Sequence, residues 1–452
     1  MKRLFKALVV VTLALTLLAG VIPAASAQAQ VQQVRIWTND GTLQDLYNAA
    51  IAEYNATTGK EKGIEIVYQV FGGDYNDVLK VALAAGQGPE IYKFVGTVKD
   101  PFVDSGWMIA LNDLPGSEAL LEKWAPVIVP GYNTYKGKTY SLPVKALNTK
   151  FIYNKTLLEK NGFAEPPRTW DELVKMAKVI TDNGDGEVYG YGVHLQNAGS
   201  SGKWYLATQF AASVGHMGYD FVKGEYRFKD FAPILSHFQQ MRKDGSIFPG
   251  FEALSQDGLA AHFAAGRVAM MAGVGWDVST LNRSFEITDE WGVFQTPVLD
   301  ESNAYKAYSQ IGDLLCVGPA ALSMPEKVLE VYSFAHNDDL LLQMHQQGLE
   351  FVGLESVQQA VTNPPAMVGW KEFADTSRNY FTMTPPDGLL TLEGQTYQNV
   401  LCNAITVDLN DQEIMDLLTD MDNRYNTALQ SAVAAGADMS AFINTDWDTR
   451  LK

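Results

Sequence analysis

The sequence predicts an α/β protein that is organised around a parallel sheet and is large enough for two lobes. Strand-like and helix-like segments alternate from residue 34 to residue 94, and alternation at this spacing is typical of a parallel sheet. The chain has 452 residues, which is too long for one ordinary core and suits two. A β-prone stretch at 132–172 has the pattern of a strand that leaves one domain and enters another.

The alternating region defines the first predicted lobe. Strands are predicted over 34–37, 64–70 and 90–94, with helices over 43–55 and 75–85 between them. Ligands of parallel sheets bind beyond the carboxyl ends of the strands. The candidate binding residues at these three ends are Trp37, Asn39, Asp40, Phe71, Gly73, Asp74, Phe94 and Thr97. Asn39 and Asp40 are equally ordinary turn and N-cap residues, and Phe94 is equally suited to the core.

The next β-prone stretch predicts the passage between the lobes. Gly137 suits the turn of a small hairpin, and short strands are predicted over 139–144 and 151–153. Thr169 and Glu172 then have the spacing of a capping box, which predicts the start of a helix. The chain is therefore expected to change lobe between the two short strands.

The first 27 residues have the features of a secretory signal peptide. Three basic residues, Lys2, Arg3 and Lys6, precede an apolar run over 7–22 and a small-residue cleavage pattern that ends at Ala27. The run is short for a membrane span, and no cysteine stands at the cleavage site, as a lipoprotein would require. We therefore expect an exported, soluble protein of the periplasm or the extracellular space, without a lipid anchor.

Charge and cysteine content restrict the partners and the chemistry. The formal charge is −18, and it becomes −21 once the three basic residues of the signal peptide are removed. Such a chain is repelled by nucleic acids and by anionic lipids. Cys316 and Cys402 are the only cysteines, and both a disulfide and two buried thiols are compatible with an exported protein.

The sequence carries no pattern that predicts catalysis, a cofactor or a metal site. Its six histidines include no HExxH spacing, and no G-x-S-x-G nucleophile elbow is present. Carboxylates are too numerous for any pair of them to indicate a glycosidase. The DNGDGE segment at 182–187 has glycines where a calcium loop needs oxygen ligands, so it predicts a turn instead.

Three separated regions of the sequence share the motifs of one family. They are AAGQGPEIYKF at 84–94, the GKTYSLPV and FIYNKTLLEKNGFAEPPRTWDEL segments within 137–173, and GRVAMMAGVGW at 266–276. Through these segments the sequence resembles the extracellular solute-binding proteins of ABC importers, in the carbohydrate-binding family 1 that includes maltose-binding proteins. One departure is Glu90, which stands where the family usually has Asp, and the change is conservative.

The resemblance implies a type II periplasmic-binding-protein fold, in which two α/β lobes are joined by crossover hinges and hold a ligand in the cleft between them. Crossovers are then expected near 144–148 and 309–315 and within 370–389, and the helices from residue 411 onward are expected to pack on the second lobe. The implied division is a signal peptide over 1–27, a first lobe over 28–146 and 309–370, and a second lobe over 147–308 and 371–452.

Aromatic residues are the natural partners of a sugar, whose apolar C–H faces stack on rings while its hydroxyls need hydrogen-bonding groups. Trp276 is the strongest candidate, because the matching Trp of the resembled family commonly stacks on sugar. Gly273 and Gly275 beside it are expected to let the backbone approach the ligand. Asp277 either accepts hydroxyl hydrogen bonds or caps the helix that follows.

Four further candidates come from the second lobe and the crossovers. Trp204 and Tyr205 follow a Ser/Gly-rich stretch at 197–202 that is expected to be a flexible loop, so they suit a cleft wall, although Trp204 also suits the buried start of a helix. Lys145 lies on the first expected crossover and Asp313 on the second. Both are positioned to reach the cleft, and a hinge role is the alternative for Asp313.

The expected function is therefore capture of a mono- or oligosaccharide and its delivery to the permease subunits of an ABC transporter, by a monomer that makes and breaks no bonds. A strongly anionic ligand needs clustered basic residues, and only Lys145 and Lys203 lie near the expected cleft. Two alternatives remain open: the same fold with a polyamine or glycerol phosphate as ligand, and a secreted carbohydrate-active hydrolase.

Overall fold

The computed structural model of the chain describes residues 31–94, 100–381 and 385–451, without the side chains of Asp100, Asp313 and Ala441. The predicted signal peptide and Thr97 lie outside these residues. The strands are β1 Gln32–Thr38, β2 Ile64–Val70, β3 Ile91–Phe94, β4 Thr134–Tyr135, β5 Lys138–Thr139, β6 Ser141–Asn154, β7 Tyr189–Gly192, β8 Tyr219–Asp220, β9 Glu225–Tyr226, β10 Val268–Val274, β11 Trp291–Phe294, β12 Ala307–Val317 and β13 Asn379–Phe381.

The α-helices surround these strands. They are α1 Gln44–Ala56, α2 Thr58–Lys62, α3 Tyr75–Ala84, α4 Asp100–Asp104, α5 Glu118–Trp124, α6 Lys155–Lys160, α7 Trp170–Asp182, α8 Ala198–Ser200, α9 Thr208–Val214, α10 Ala232–Lys243, α11 Gln256–Ala264, α12 Gly275–Ser284, α13 Pro325–Ala335, α14 Asp338–Gln346, α15 Glu355–Gln359, α16 Trp370–Ala374, α17 Tyr397–Thr406 and α18 Asp411–Ala434. A π-helical segment, Ser201–Ala207, connects α8 to α9.

The parallel sheet predicted for the first part of the chain is confirmed. β1 pairs in parallel with β2 and with β3, and α1 and α3 occupy the predicted positions between these strands. Val34 and Ile36, which share one face of β1, are fully buried, whereas Arg35 and Trp37 on the other face are partly exposed. The carboxyl ends of β1, β2 and β3 therefore lie along one edge.

Two long strands connect this sheet to the rest of the molecule. β12 pairs antiparallel with β3 on one side and with β6 on the other. Beyond that pairing, β6 continues and pairs antiparallel with β10 and with β11. Among the described residues nine strands form one connected sheet in the order β2-β1-β3-β12-β6-β10-β7, with β11 on β6 and β13 on β12, and β4–β5 and β8–β9 form two separate two-stranded sheets. We call the paired part of β6 and β12 the β6–β12 ribbon.

The prediction of two short strands over 139–144 and 151–153 was wrong, since β6 is continuous. Asn148, Thr149 and Lys150 between them are polar, so they lack the apolar signal of a strand, yet all three are buried and bonded to partners from elsewhere in the chain. Asn148 Nδ2 donates to Phe373 O (2.6 Å), and Lys150 Nζ donates to Asp375 O (2.8 Å). Long-range hydrogen bonds thus replace the apolar burial that normally marks a strand.

The flexible loop predicted at 197–202 was also wrong. Helix α8 begins at Ala198, where Asn197 Oδ1 accepts the N–H of Ser200 (3.2 Å), and the helical path continues through the π-helical segment to Val214. Ser and Gly indicate a loop by propensity, but here a small residue is needed for packing. A Cβ built on Gly202 would lie 2.4 Å from Gln398 O, so helix α17 approaches the backbone directly.

Several local predictions are confirmed. Thr169 and Glu172 form the capping box of α7, and the turn predicted at 182–187 is present, with positive φ at Asp185 and Gly186. For Cys316 and Cys402, where the sequence left both states open, the structure has two buried thiols. No helix among the residues described has the length and apolar character needed to cross a membrane.

The C-terminal helix α18 packs against elements of the second half of the chain. α18 packs on α10 and on the 3-10 turn Phe228–Phe231, as expected for helices that return to this part of the chain. Asn426 Oδ1 accepts the N–H of Tyr226 (2.9 Å), and its Nδ2 donates to Tyr226 O (2.8 Å). These two bonds fix the helix to the edge of β9.

Candidate functional site

Two polar side chains, Lys145 and Gln310, lie on one face of the β6–β12 ribbon. The strand register pairs Lys145 with Gly312 and Leu147 with Gln310. Alternate residues of a strand share a face, and paired residues point to the same side, so these four residues form one surface, which we call the ribbon face. Gly312 leaves room on it, because a Cβ there would lie 3.6 Å from Lys145 Cγ.

An ionic cluster lies at one end of the ribbon face. Lys145 Nζ is 2.6 Å from Glu350 Oε1 and 3.2 Å from Asp40 Oδ2, and Lys93 Nζ is 3.8 Å from the same Asp40 oxygen. Between 9% and 16% of each of these side chains is exposed. Two ammonium groups thus face two carboxylates in a nearly buried setting, so their charges compensate.

Sequence reasoning selected two members of the ionic cluster and missed the other two. Asp40 and Lys145 were candidates, and Asp40 also has the expected turn role, since its Oδ1 accepts the N–H of Thr42 (2.8 Å). Lys93 lies inside a predicted strand, and Glu350 lies about two hundred residues after Lys145, with no motif around it. Only the fold brings these two to Asp40 and Lys145.

Aromatic rings lie at the other end of the ribbon face. The Trp204 and Trp276 rings are half-buried and nearly perpendicular, with centroids 5.7 Å apart, and Tyr308 lies 6.1 Å from Trp204. Lys203 Nζ lies 4.6 Å from the centroid of the Trp204 ring and donates to Gln310 Oε1 (2.9 Å). Lys203 and Gln310 therefore join the aromatic group to the ribbon face.

The orientation of Gln310 is fixed on both sides. Its Oε1 accepts from Lys203 and from the Tyr308 hydroxyl (3.1 Å), and its Nε2 donates to Tyr132 Oη (2.7 Å), which donates to Ile311 O (2.7 Å). Sequence reasoning missed this group. A signal was available, since Gln310 lies within the second expected crossover, where only Asp313 was selected.

Burial also lowers the pKa of the Lys203 ammonium group. Desolvation lowers the pKa of its ammonium group to about 8, and the nearby Asp387 carboxylate opposes that shift. The charged form of a buried amine is disfavoured because water no longer solvates it. At neutral pH the group is still mostly charged, so it offers N–H donors beside the Trp204 ring.

The Asp277 carboxylate accepts hydrogen bonds from donors within the protein. Its side chain is only 4% exposed and accepts from Val274 N (2.7 Å), Gln256 Nε2 (2.6 Å) and the Tyr205 hydroxyl (3.0 Å). Burial raises the pKa of this carboxyl to about 6, and the three hydrogen bonds oppose the rise. The bond to Val274 is the helix-capping role that the sequence offered as one of two readings.

Core packing accounts for Gly273 and Gly275, and the expectation that they let the backbone approach a ligand stays a prediction. A Cβ on Gly273 would lie 2.7 Å from Ile152 Cδ1, and a Cβ on Gly275 would lie 2.8 Å from Phe351 Cε2. These glycines are therefore explained by close packing against the core.

The carboxyl ends of the first strands bring two predicted aromatics together. The Trp37 and Phe71 rings have centroids 4.7 Å apart, whereas Asn39, Gly73 and Asp74 are exposed. Phe94 is 8% exposed and packs edge-on against Phe102 at 5.1 Å. Thr97 lies outside the described residues, and Asp313 is a residue of β12 whose side chain is not described.

No group of three or more His, Cys, Asp or Glu side chains is arranged to hold a metal ion within 31–94, 100–381 and 385–451. The acidic residue at the start of the turn over 182–187, Asp182, forms an ion pair with Lys178 (2.8 Å). The first carboxylate of that turn is thus engaged within the protein.

Comparison with known proteins places the chain in a family. A family model described as bacterial extracellular solute-binding protein matches residues 40–315, more than half of the chain. Similar curated proteins include the maltotriose-binding protein of Pyrococcus abyssi (32% identical over 35% of this chain and 32% of that protein) and the diacetylchitobiose-binding protein DasA of Streptomyces coelicolor (26% over 59% and 60%). The melibiose/raffinose/stachyose-binding protein MelE of Bacillus subtilis is 22% identical over 50% of this chain and 53% of its own. The chain thus matches between a third and three fifths of these relatives' lengths.

Solved structures show the same fold over most of the chain. Apo RafE of Streptococcus pneumoniae superposes with a TM-score of 0.68 at 17% identity, covering 88% of this chain and 97% of its own. A family 1 extracellular solute-binding protein of Bifidobacterium longum subsp. infantis gives 0.61 at 18% identity, covering 88% and 100%. The predicted fold class is therefore confirmed. Because this family consists of non-catalytic transport binding proteins, the expectation that the chain is not an enzyme is confirmed as well.

Proposed function

Since the chain belongs to the bacterial extracellular solute-binding proteins, we propose that it captures a mono- or oligosaccharide outside the cytoplasmic membrane and delivers it to the permease subunits of an ABC transporter. The observation that carries the proposal is the half-buried Trp204–Trp276 pair beside the Lys203–Gln310 contact. Rings suit the apolar faces of a sugar, and fixed amide and ammonium groups suit its hydroxyls. Three of the similar proteins are named for oligosaccharides that they bind.

The proposed ligand is a neutral sugar. Lys145, the basic residue of the ribbon face, is engaged by Asp40 and Glu350, and Lys203 donates to an amide. An anionic ligand such as glycerol phosphate would have to displace these carboxylates or bind through Lys203 alone. Polyamines need accessible carboxylates, whereas Asp40 and Asp277 are bonded within the protein. The charge arrangement therefore favours a neutral solute over both alternatives.

Binding is proposed to close two lobes over the ligand. The division is 28–146 with 309–370 and 147–308 with 371–452, after a signal peptide over 1–27 that is removed on export without leaving a lipid anchor. β6, β12 and the segment with β13 would serve as the crossovers, and the mature protein would act as a soluble monomer. A ligand that contacts both lobes only when they are close shifts the population toward the closed form.

Three hydrogen-bonded polar residues, of which Asn148 and Ser309 are fully buried, support this assignment of the crossovers. Ser309 Oγ donates to Asn148 Oδ1 (2.6 Å), and Asn379 Nδ2 donates to Ser309 Oγ (2.9 Å). The three side chains belong to β6, β12 and β13, so one hydrogen-bonded chain links all three proposed crossovers. Such a link would make them move together.

The test is a thermal-shift screen of the mature protein against neutral mono- and oligosaccharides, with spermidine and glycerol 3-phosphate as comparison ligands. A ligand that binds only the folded state raises the melting temperature by mass action. We expect a neutral sugar to raise it and the comparison ligands to leave it unchanged. If spermidine or glycerol 3-phosphate gives the shift and no sugar does, the proposed substrate class is wrong. If a glycoside is turned over, the hydrolase alternative replaces the binding function.

A further inference from the structure

A chain of hydrogen bonds runs from Asp277 to the indole of Trp276. Trp276 Nε1 donates to Tyr205 Oη (3.2 Å), and Tyr205 Oη donates to Asp277 Oδ2 (3.0 Å). The same carboxylate accepts the N–H of Val274, at the end of β10, and a proton of Gln256 Nε2, on α11. Asp277 is thus held by three elements, and only one of its bonds leads toward the candidate site.

Which group donates and which accepts in these hydrogen bonds follows from the chemistry of the three side chains. An ionised carboxylate can only accept hydrogen bonds, so the single proton of the Tyr205 hydroxyl goes to Asp277. The lone pairs of Tyr205 Oη are then left to accept from the indole N–H, which can only donate. With Asp277 ionised, only one arrangement of donors and acceptors is possible. In that arrangement the indole N–H of Trp276 is bonded to Tyr205 Oη, which holds the ring by its polar edge.

Packing keeps the middle member in place. Tyr205 is 3% exposed, lies on the π-helical segment, and meets the His194 ring edge-on with centroids 4.3 Å apart. Trp276 itself is only half-buried. A half-buried ring on the first turn of a helix has other rotamers available. The bond to Tyr205 holds its polar edge, and the Trp204 ring packs edge-on against it with centroids 5.7 Å apart.

We propose that Asp277 is a positioning residue that fixes the orientation of the Trp276 ring through the Tyr205 hydroxyl, so that the ring presents a constant face to the bound solute. This assignment replaces the earlier expectation of direct contact between Asp277 and the ligand. The effect on affinity rests on the proposed sugar-binding function, whereas the orientation of the ring in the ligand-free protein does not.

The positioning depends on pH because protonated Asp277 can donate a hydrogen bond to Tyr205 Oη. The Tyr205 hydroxyl is then no longer required to donate to Asp277 and accept from Trp276. The titratable groups around it are Tyr205 on the π-helical segment and Asp257 on α11, with His194 behind the Tyr205 ring. Burial lowers the pKa of His194 to about 4, so this imidazole stays neutral above pH 5. Arg283, on the last turn of α12, is engaged by Gly348 O (2.8 Å). Among these groups it is the Asp277 carboxyl whose pKa burial raises to about 6.

The spectroscopic test isolates Trp276 in the ligand-free protein. Subtracting the near-UV circular dichroism of Trp276→Phe from that of the parent leaves the Trp276 signal, which reports how firmly the ring is held. We expect this signal to fall by at least half between pH 7.5 and pH 5. In Tyr205→Phe and in Asp277→Asn backgrounds it should be low already at pH 7.5 and independent of pH. Tyr54→Phe is the matched control, because its hydroxyl also meets a carboxylate, Glu330 (3.4 Å), away from this group.

Two outcomes would overturn the proposal. One is a Trp276 signal in Tyr205→Phe that keeps the parent intensity and pH profile. The other is a Tyr54→Phe control that loses the signal as fully as Tyr205→Phe does. Asn in place of Asp277 can still accept the Val274 N–H, and Tyr205→Phe keeps the buried ring, so at least one variant should retain the fold.

The binding test separates this proposal from the proposed function. With a sugar found by the thermal-shift screen, Tyr205→Phe should weaken affinity about five-fold at pH 7.5. The affinity of the parent should fall between pH 7.5 and pH 5, whereas the affinity of Tyr205→Phe should stay the same. If no sugar binds, the proposed function fails while the spectroscopic result still decides the positioning. If Trp276→Ala loses binding but Tyr205→Phe binds like the parent at both pH values, the positioning role is wrong.

Discussion

At the scale of single residues, side chains selected one at a time from the sequence prove to be parts of networks. Lys145 was expected to donate to a ligand, and in the fold it already faces Glu350 and Asp40. A ligand hydroxyl at Lys145 must compete with two carboxylates in a nearly buried setting, where charge-assisted bonds are strong. Its contribution to binding is therefore expected to be smaller than that of the half-buried rings.

The first residue-scale prediction concerns Trp276. Trp276→Ala removes a large apolar surface from the proposed site, and losing the burial of one such side chain corresponds to about 2 kcal/mol, or roughly a thirty-fold loss of sugar affinity. Isothermal titration with the sugar found by screening measures it. Trp291→Ala is the control, because Trp291 is also half-buried but packs on Phe263 at 6.2 Å. Equal losses in the two variants would show that the effect is general destabilisation.

The second concerns the pH dependence of stability. Burial raises the pKa of Asp277 from 3.8 to about 6, so between these values the folded protein binds more protons than the unfolded chain. The stability from protonating this carboxyl is fully present below pH 3.8 and is lost as pH rises through about 6. Relative to Asp277→Asn, the parent should therefore be about 1 kcal/mol more stable at pH 5 than at pH 7. Urea unfolding at the two pH values measures this difference.

Asp422 provides an internal check on that measurement. Burial raises the pKa of Asp422 to about 6 as well, so it titrates in the parent and in the variant and cancels in the difference between them. Parallel pH profiles for the parent and Asp277→Asn would contradict the shifted pKa of Asp277.

At the scale of elements, local signals predicted the strands and helices of the first part of the chain and the start of α7, and they failed where packing determines the structure. The capping box at Thr169 and Glu172 is a local pattern, and α7 begins there. The helical path through 198–214 has no such pattern, because its Ser and Gly residues favour a loop in isolation. It is helical since Gly202 allows close contact with α17, and the π-helical turn places Lys203 and Trp204 beside Gln310 and Trp276.

The element-scale prediction tests this packing. In Gly202→Ala the new Cβ would lie 2.4 Å from Gln398 O and 2.5 Å from Gln398 Cα, and backbone atoms cannot move aside as a side chain can. We expect a loss of about 2 kcal/mol or more in the free energy of unfolding, measured by chemical denaturation. Gly199→Ala is the matched control, because the nearest atom there is Asn197 Oδ1 at 3.6 Å. Equal stability of the two variants would contradict the close approach of α17.

At the scale of the whole molecule, the β6–β12 ribbon connects the strands of the first part of the chain to the other strands of the large sheet, and the candidate site lies on it. The Asn148–Ser309–Asn379 chain links the proposed crossovers, and the ribbon face next to it presents Lys145 and Gln310 to the ionic cluster and to the rings. If the crossovers are hinges, the groups that bind the solute lie where the two lobes turn. Ligand binding and lobe closure would then be coupled directly.

The whole-molecule prediction is that a saturating sugar makes the mature protein more compact. Small-angle X-ray scattering should show a lower radius of gyration with ligand, while the molecular mass stays that of a monomer. Trp276→Ala, at a sugar concentration that saturates only the parent, should keep the larger radius. A sugar that raises the melting temperature without changing the radius would argue against closure of two lobes.

The sequence by itself determined the class of fold, the order of elements in the first part of the chain and the family. These rest on local signals: apolar periodicity in β1 to β3, a capping box, and contiguous motifs such as that around Trp276. Tertiary structure alone decided that β6 is continuous, that residues 198–214 are helical, and that Lys93, Glu350, Gln310 and Tyr132 join the candidate site. The physical reason is that each of these features depends on contacts between residues far apart in the chain. A buried polar strand is recognisable only with its distant hydrogen-bond partners, and a glycine needed for packing resembles a loop glycine until the neighbouring helix is in place.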